Sequence, residues 1–402
     1  MIETETPGDA LSGIISRMME RALGNSDFEL IFQEACTAFD RDVFPLFRVG
    51  VSARTLHPLI TGQSFRWYRE GTETETFDRG AASAADWLAS PFHKMLEIDR
   101  DSYARYRIVR DGPQGFPILE DLQAAGATDY VAFLHGFIAP PELAMEREDG
   151  MISSYATDHP DGFSDDALAM IERFAQRMAL CGKLFIRETR AENILSAYLG
   201  GSAGRSVLDG HISLGDTERI EAAIWFSDMR RSTPLAEELG PEPFLALLND
   251  YFEITAGTIL QSGGEVLRFI GDAVLAIFRI DDATGPDVAA ANALAALKAC
   301  LERLETYNAE NPENSIDIGI GLHMGEVLFG NIGVKERIEF SVIGAAANES
   351  ARIEGLTRNL GQTVLLSGDF TCHLADRTGL RLLDEHSLRG VGRKIDLYCL
   401  DP

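Results

Sequence analysis

The chain has 402 residues, a formal net charge of −27 and a pI near 4.6, with 45% hydrophobic and 25% charged residues. This composition is typical of a globular protein of two or three domains and excludes a largely disordered chain. Because nucleic acids are bound through basic surfaces, the acidic charge argues against a nucleic-acid partner. It does not exclude a nucleotide, since a metal ion and a few local cations can hold phosphates.

No apolar stretch reaches the roughly 18–20 residues of a membrane span. The first ten residues, MIETETPGDA, lack the basic-then-apolar pattern of a signal peptide. The five cysteines form no CxxC motif, which favours reduced thiols in a reducing compartment. We therefore expect a cytoplasmic protein without a membrane span.

Residues 1–162 are predicted to form an α+β regulatory domain. Helical periodicity opens this region, and strand-like segments such as FRVGVSART and DYVAFLHGFI follow, as in a small sensor module. His135 and Tyr155 are candidates for a ligand pocket, although such side chains are more often ordinary core groups. No cysteine or histidine spacing indicates a haem or a tetrapyrrole.

Residues 163–216 are predicted to form a coupling helix and a linker. Ser164 suits an N-cap, acidic residues follow it, and apolar residues spaced three and four apart continue to about Leu199. This spacing fits equally well a helix that covers its own domain and the seam of a dimer. The glycine-rich stretch from Leu199 to Gly204, LGGSAG, predicts the linker.

Residues 217–402 are predicted to form a second α+β domain. The expected elements are a strand over 220–227, a helix over about 242–261, paired strands around Gly271, a second helix and a glycine-rich strand. This order is the βαββαβ arrangement of a ferredoxin-like palm, followed by extra strands.

Two apolar strand-like runs of this region each carry one acidic residue, Asp228 and Asp272. A buried carboxylate is costly unless something compensates it. Carboxylates from adjacent strands can hold two Mg²⁺ or Mn²⁺ ions about 3.5–4 Å apart. A helix is expected after Asp228, with Ser232 or Thr233 as its cap, and its free N–H groups suit a polyphosphate.

Four stretches of this region together resemble the catalytic domain of class III nucleotidyl cyclases: FSDMRRST, RFIGDAVLAIF, IGIGLHMGEVLFGNIG and FSVIGAAANESARIE. The resemblance covers about 218–400. It implies an adenylate cyclase in which the ribose 3′-hydroxyl of ATP attacks the α-phosphate, releasing pyrophosphate and 3′,5′-cyclic AMP. It also implies two metal ions per site and a homodimer, formed through the cyclase domains and the coupling helix, because each site lies between two chains.

The resemblance assigns roles to individual residues. It implies metal ligands at Asp228, Asp272 and the Met229 backbone carbonyl, a ribose contact at Asn348, an α-phosphate contact at Arg352, and phosphate contacts at Ser232, Thr233 and Arg389. A forked, permanently charged arginine suits the charge that develops on the α-phosphate.

The base-reading positions depart from the family pattern. Arg268 stands where adenylyl cyclases carry a lysine, and Ser341 stands where its partner is usually Asp or Thr. The resemblance implies that guanylyl cyclases of this class instead carry Glu and a small polar residue at these two positions, so Arg268 favours adenine. Arginine is longer than lysine and forked, and it can relax base choice or lower turnover. Ser232–Thr233 also replaces the more usual Phe-Thr.

Several alternatives stay open. The domain can be a cyclase with another base preference, yielding cyclic GMP or a cyclic pyrimidine nucleotide, or a catalytically silent module for signalling and dimerisation. A diguanylate cyclase shares the palm, and Gly-Gly-Glu occurs in SGGEVLRF, but Val266 breaks the GG[DE]EF pattern.

The N-terminal region carries a second, fainter resemblance. The stretch GMISSYATDHPDGFSDDALAMIERFAQRMAL resembles the tail of a GAF-type sensor, which implies a pocket for an unidentified small molecule. A purely structural dimerisation domain is the alternative.

Overall fold

The computed structural model describes residues 6–24, 27–54, 60–78, 87–99, 102–137 and 150–401. The chain divides into two compact units, Met1–Ile194 and Leu195–Pro402. Both units combine helices with antiparallel strands, so the protein has the mixed α+β fold that the sequence predicts. Among the residues described, no helix has both the length and the apolar composition needed to cross a membrane.

The described part of the N-terminal unit contains an antiparallel sheet in the spatial order β3-β2-β1-β6-β5-β4. Its strands are β1 (Arg48–Arg54), β2 (Ile60–Tyr68), β3 (Gly71–Asp78), β4 (Tyr103–Tyr106), β5 (Asp129–Gly136) and β6 (Gly150–Thr157). The helices are α1 (Pro7–Leu23), α2 (Phe28–Asp42), α3 (Pro91–His93) with a π-helical turn (Lys94–Asp99), α4 (Ile108–Asp111), α5 (Pro117–Ala124) and α6 (Asp165–Leu199).

Aromatic side chains fill the core between this sheet and the helices. Phe39 of α2 packs on Phe174 of α6, with ring centroids 4.8 Å apart. Tyr155 on β6 is fully buried and contacts Phe174 edge-on. His135 on β5 lies 3.0 Å from the Ser153 hydroxyl, and burial lowers its pKa to about 4. Both candidate pocket residues are therefore integrated into the sheet and its core.

Hydrogen bonds among polar groups, including the buried Asp129, hold the start of helix α6 in place. Ser164 caps the helix as predicted, since its Oγ accepts a hydrogen bond from a first-turn N–H at 3.1 Å. Asp129, buried on β5, accepts hydrogen bonds from Arg105 and, at 3.0 Å, from the N–H of Phe163. Arg105 also donates to the Phe163 carbonyl at 2.5 Å. We call Arg105, Asp129 and Phe163 the Asp129 clamp, because together they fix where the chain enters α6.

The glycine-rich segment after α6 differs from the predicted linker. Gly200 turns the chain with a φ of 88°, but α7 (Gly201–Leu208) then forms a further helix. A β-carbon on Gly204 would lie 2.9 Å from the carbonyl carbon of Leu195, so this glycine permits two backbone segments to pack closely. The linker predicted over 199–204 is therefore wrong for 201–204, which begin this helix, because Gly204 serves close packing rather than chain flexibility.

The C-terminal unit is built on a second sheet, in the order β13-β14-β12-β10-β7-β9-β8, with β11 paired to β10 outside this path. Its strands are β7 (Thr217–Met229), β8 (Glu265–Ile270), β9 (Ala273–Ile280), β10 (Ile318–Val334), β11 (Arg337–Ile343), β12 (Val364–Ser367), β13 (Leu380–Ser387) and β14 (Lys394–Leu400). Its further helices are α8 (Ser232–Leu239), α9 (Pro241–Gln261), α10 (Pro286–Glu310), α11 (Ala345–Asn359) and α12 (Gly368–Thr371).

Apolar side chains cover both faces of the central strands in this unit. On one face, α9 and α10 pack on the sheet through residues such as Tyr251 and Ala293. On the other face, β11 and α11 contribute Val342 and Ala346 to a second cluster. The continuous apolar run of β7 follows from this double cover. The strand predicted over 220–227 lies inside β7, and the helix predicted over 242–261 matches α9 within one residue.

The start of α8 differs from the prediction. Neither Ser232 nor Thr233 is the N-cap; Arg231 holds that position in the left-handed region (φ 60°, ψ 23°), and no side chain caps the helix. The chain thus passes from β7 to α8 through one residue in the left-handed conformation. A non-glycine residue in this conformation is strained, and such strain often accompanies functional sites.

Candidate active site

Two acidic side chains meet at one end of the central strands. Asp228 is the penultimate residue of β7, opposite Ala273 on β9 and Gly319 on β10. Asp272 occupies the two-residue turn between β8 and β9, where Gly271 has a φ of 65°. Because β7 and β9 are neighbours, this turn brings Asp272 within hydrogen-bonding reach of Asp228. The convergence expected from their spacing is therefore present.

The environment of this pair is unfavourable to its negative charge. Burial, and then the neighbouring Asp272, raise the pKa of Asp228 to about 6. A hard divalent cation with oxygen ligands relieves both effects, so the donor set fits Mg²⁺ or Mn²⁺. In the described residues, no group of three or more acidic, histidine or cysteine side chains is arranged as a metal cage.

A third acid, which the sequence did not single out, lies beside the pair. Glu354 of α11 packs over Gly319, directly across the strand from Asp228. Burial and the charge of Asp228 raise the pKa of Glu354 to about 7. No local motif marks this residue, because its approach depends on a helix that crosses the sheet. The sequence feature related to this contact is Gly319, because its missing side chain leaves the space that the Glu354 carboxylate occupies.

The predicted ribose and phosphate contacts lie on the other side of α11. Asn348 is exposed, and its amide donates only to the Gly344 carbonyl of its own helix, at 3.2 Å. Arg352 is exposed one turn later, where its guanidinium lies beside Gly390. Arg389 precedes that glycine and is also exposed. The structure therefore brings Arg352 close to the loop that carries Arg389.

Helix α11 separates these contacts from the acidic pair. Arg352 and Glu354 are two residues apart, which places them about 200° apart around the helix axis. Glu354 faces Asp228, while Arg352 faces the loop at Gly390. Within one chain, the acidic pair therefore lies on one side of α11, and Asn348 and Arg352 project from the other side.

The predicted base-reading residues lie on β8 and β11. Ser341 is buried on β11, opposite Gly330 of β10. Arg268 forms an ion pair with Glu339, a residue of β11 that sequence analysis did not identify. Ser232 and Thr233 are in the first turn of α8, where N–H groups lack acceptors within the helix. Met229, whose carbonyl is the third expected ligand, is the last residue of β7 and is buried.

Comparisons with known proteins find relatives of the C-terminal region. Residues 216–401 match the family model for the adenylate and guanylate cyclase catalytic domain. An adenylate cyclase of Anabaena cylindrica is 31% identical over 201 residues, which span 47% of this chain and 38% of that protein. Adenylate cyclase 1 of Rhizobium meliloti (strain 1021) is 27% identical over 199 residues, spanning 48% of this chain and 29% of that protein. The match thus covers only about a third of each relative.

Among solved structures, the adenylyl cyclase CyaB from P. aeruginosa is 25% identical, with a TM-score of 0.41 over 46% of this chain and 96% of that chain. The guanylyl cyclase Cya2 is 29% identical, with a TM-score of 0.39 over 46% and 92%.

The C-terminal half of the chain is thus an enzyme domain with paired acids at the end of a mixed sheet. Specifically, it is a class III adenylate/guanylate cyclase catalytic domain.

Proposed function

We propose that the protein is an adenylate cyclase that forms 3′,5′-cyclic AMP and pyrophosphate from ATP, acts as a homodimer and is regulated by its N-terminal unit. The observation that carries the proposal is the pairing of Asp228 with Asp272 inside the family-matched region. Cyclases of this class generally use divalent metals, and the oxygen donors of this pair fit Mg²⁺ or Mn²⁺. When bound, the ions supply charge neutralisation at the triphosphate and activation of the 3′-hydroxyl.

Side chains of the protein orient the substrate and stabilise the charge that develops during the reaction. Asn348 orients the ribose so that its 3′-oxygen faces the α-phosphorus. A bond forms between these atoms, the bond from the α-phosphorus to the bridging oxygen breaks, and the hydroxyl proton is released with pyrophosphate. Arg352 stabilises the charge that grows on the α-phosphate, and Arg389 with the first turn of α8, at Ser232 and Thr233, holds the leaving phosphates.

The homodimer follows from the two faces of α11. The acidic pair and the Asn348–Arg352 pair lie on opposite sides of this helix, which supports a site to which two copies contribute. A second copy of the chain completes the site, and twofold symmetry gives two complete sites per dimer. Exposed apolar side chains on β8, Phe269 and Ile270, suit burial in such an interface.

The coupling helix offers a second stretch of the same interface. Leu180, Leu184 and Ile194 are exposed apolar residues of α6, at 44%, 38% and 43%. Leu180 and Ile194 are two heptads apart, and Leu184 follows Leu180 by four residues, as in a two-stranded coiled coil. We assign the partner of this stripe as α6 of the second copy.

Adenine is the proposed base. Arg268 can donate to adenine N1, and a neighbouring acceptor can take the N6 amino hydrogens, whereas the acidic residue expected for guanine is absent from position 268. Two relatives that match this region are named adenylate cyclases. Cyclic GMP or pyrimidine products remain the competing outcomes of the test below.

The N-terminal unit is proposed to be a GAF-like sensor for a small molecule in the cytoplasm. Its antiparallel sheet flanked by helices, and the long exit helix α6, support this assignment. The Asp129 clamp joins the sheet directly to the start of α6. A change in sheet packing would thereby reach the coupling helix without crossing a flexible segment.

The test is product formation by the purified chain with Mg²⁺ or Mn²⁺ and each of ATP, GTP, CTP and UTP, read by mass spectrometry. Asp272→Ala should abolish cyclic AMP, whereas Asp282→Ala, an exposed acid outside the site, should not. A different cyclic nucleotide would overturn the base assignment. Absence of any product would favour the silent module.

A further inference from the structure

The base-reading position of this chain carries an ion pair in place of a single cation. Arg268 pairs with Glu339, and the two side chains retain 41% and 43% of their exposure. Ser341 follows Glu339 by two residues on β11, so the two side chains lie on the same side of that strand. The Glu339 carboxylate and the Arg268 guanidinium thus line one short stretch of surface, and the Ser341 hydroxyl is buried on the same side of β11.

The backbone directs these groups to the same place. The register between β8 and β9 shifts between Val266 and Arg268, and such a bulge re-aims the side chains that follow it. Leu267 and Phe340, the neighbours of the charged pair, both pack against the apolar cluster beneath. The core therefore anchors both strands and leaves Arg268 and Glu339 facing outward together.

We propose that Glu339 is a specificity-determining residue, which orients Arg268 and accepts the N6 amino hydrogens of adenine. The inference rests on the proposed cyclase function. The carboxylate occupies part of the arginine fork, so the fork presents a single donor direction to adenine N1. An arginine without this partner presents both arms, and a forked donor matches the O6 and N7 acceptors of guanine. Glu339 thereby restricts Arg268 to one donor direction and supplies the acceptor that the adenine N6 amino group requires.

The variant Glu339→Ala tests this role, with Glu218→Ala as the matched control. Glu218 also pairs with an arginine of the same sheet, Arg279, but lies outside the predicted base site. The ratio of kcat/KM for ATP to kcat/KM for GTP should fall roughly tenfold in Glu339→Ala, the scale of one lost base contact. It should stay unchanged in Glu218→Ala and be largely restored in Glu339→Asp.

A double-mutant cycle separates positioning from mere folding. If Glu339 orients Arg268, adding Glu339→Ala to Arg268→Ala should change the ATP-to-GTP ratio less than it changes the ratio of the wild type, because only the direct contact with N6 is then left to lose. Additive effects of the two substitutions would contradict the orienting role. Far-ultraviolet circular dichroism and the melting temperature of each variant verify that the variant folds.

The outcomes distinguish this inference from the proposed function. A wild type that makes cyclic AMP, with an unchanged ratio in Glu339→Ala, would overturn the role of Glu339 alone. A wild type that makes no cyclic nucleotide would overturn the proposed function. In that case, calorimetric affinities for the α,β-methylene analogues of ATP and GTP decide the role of Glu339. An unchanged affinity ratio in Glu339→Ala, or binding of neither analogue, would overturn it.

Discussion

Gly319 and Glu354 fit against each other only because position 319 has no side chain. A β-carbon on Gly319 would collide with the Glu354 carboxylate and would lie 2.6 Å from the Thr357 hydroxyl. Gly319 is also the cross-strand neighbour of Asp228. The glycine thus sets the distance between α11, which carries the predicted nucleotide contacts, and the strand that carries the predicted metal ligand.

Gly319→Ala should therefore displace α11 and lower both stability and turnover. Overpacking of this kind typically costs about 1–3 kcal/mol in the free energy of unfolding. Gly355→Ala is the control, because the same helix has open space at that position and alanine favours a helix. Chemical denaturation and cyclic AMP formation measure the two effects. Equal stability of the two variants would contradict the packing argument.

Glu354 should make the metal-free protein less stable as pH rises. Its pKa of about 7 in the folded chain lies above the ordinary value of 4.5, so the folded state favours the protonated form. Stability should fall as pH rises from about 4.5 to 7 and then stay level. Glu354→Gln keeps a hydrogen-bonding shape without the charge, and it should stabilise the protein at pH 8 by about 1 kcal/mol, after allowance for solvent screening.

Melting curves at pH 4.5 and pH 8, in the presence of a chelator, measure this difference. At pH 4.5, wild type and Glu354→Gln should differ much less than at pH 8, because Glu354 is then almost fully protonated in the folded wild type and buries no charge. A stabilisation by Glu354→Gln that is independent of pH would show that burial of the side chain, and not its charge, is responsible.

Divalent metal affinity should rise with pH near neutrality. Asp228 has a pKa raised to about 6, so it must lose a proton before it can bind a cation. Electron paramagnetic resonance of free Mn²⁺ should therefore show tighter binding at pH 7.5 than at pH 5.5. Asp272→Asn should weaken binding at both values, since one of the two carboxylates is lost. Equal Mn²⁺ affinity at the two pH values in the wild type would argue against Asp228 as a ligand.

Two inactive variants should restore activity to each other when mixed. Asp272→Ala removes an acid from one half of the proposed site, and Asn348→Ala removes a contact from the other half. If each site combines both chains, half of the dimers in an equal, fully exchanged mixture are mixed, and each mixed dimer holds one intact site. Activity should recover to about a quarter of the wild-type level. No recovery after verified subunit exchange would indicate that each chain forms its own site.

Loss of the Asp129 carboxylate should destabilise the N-terminal unit far more than loss of a surface charge. Asp129 and Arg105 retain only 2% and 15% exposure, and removal of one partner of a buried pair typically costs about 3–5 kcal/mol. Glu75→Ala, which breaks the more exposed pair with Arg66, should cost about 1 kcal/mol or less. Denaturation measures the stability, and hydrogen exchange at Phe163 should quicken only in Asp129→Ala.

Sequence patterns predicted the features that depend on short stretches of chain. The Ser164 cap, the buried strand that became β7, and the helix α9 each follow from residues within one or two turns or along one strand. The meeting of Asp228 and Asp272 was also predictable, because each residue stands where an apolar strand run ends or turns.

Features that depend on packing between distant segments could not be predicted from the sequence. Glu339 and Glu354 are set in place by elements far from their partners in the chain, and no local spacing distinguishes them from surface acids. The glycines after Leu199 predict a linker for the same reason, whereas in the structure Gly204 permits a close approach of two backbone segments. At Arg231, the chain turned without the capping side chain that local preferences favour.

The Asp129 clamp fixes the start of α6, so a small tilt of the helix at that end produces a large displacement at its other end. The helix has 35 residues, and at a rise of about 1.5 Å per residue it extends for about 52 Å. A tilt of only about 5° at its first turn then moves Leu199 by about 4.5 Å, close to the rise of one helical turn. A shift of a fraction of an ångström near Phe163 therefore corresponds to a displacement at the far end of α6 that is about an order of magnitude larger.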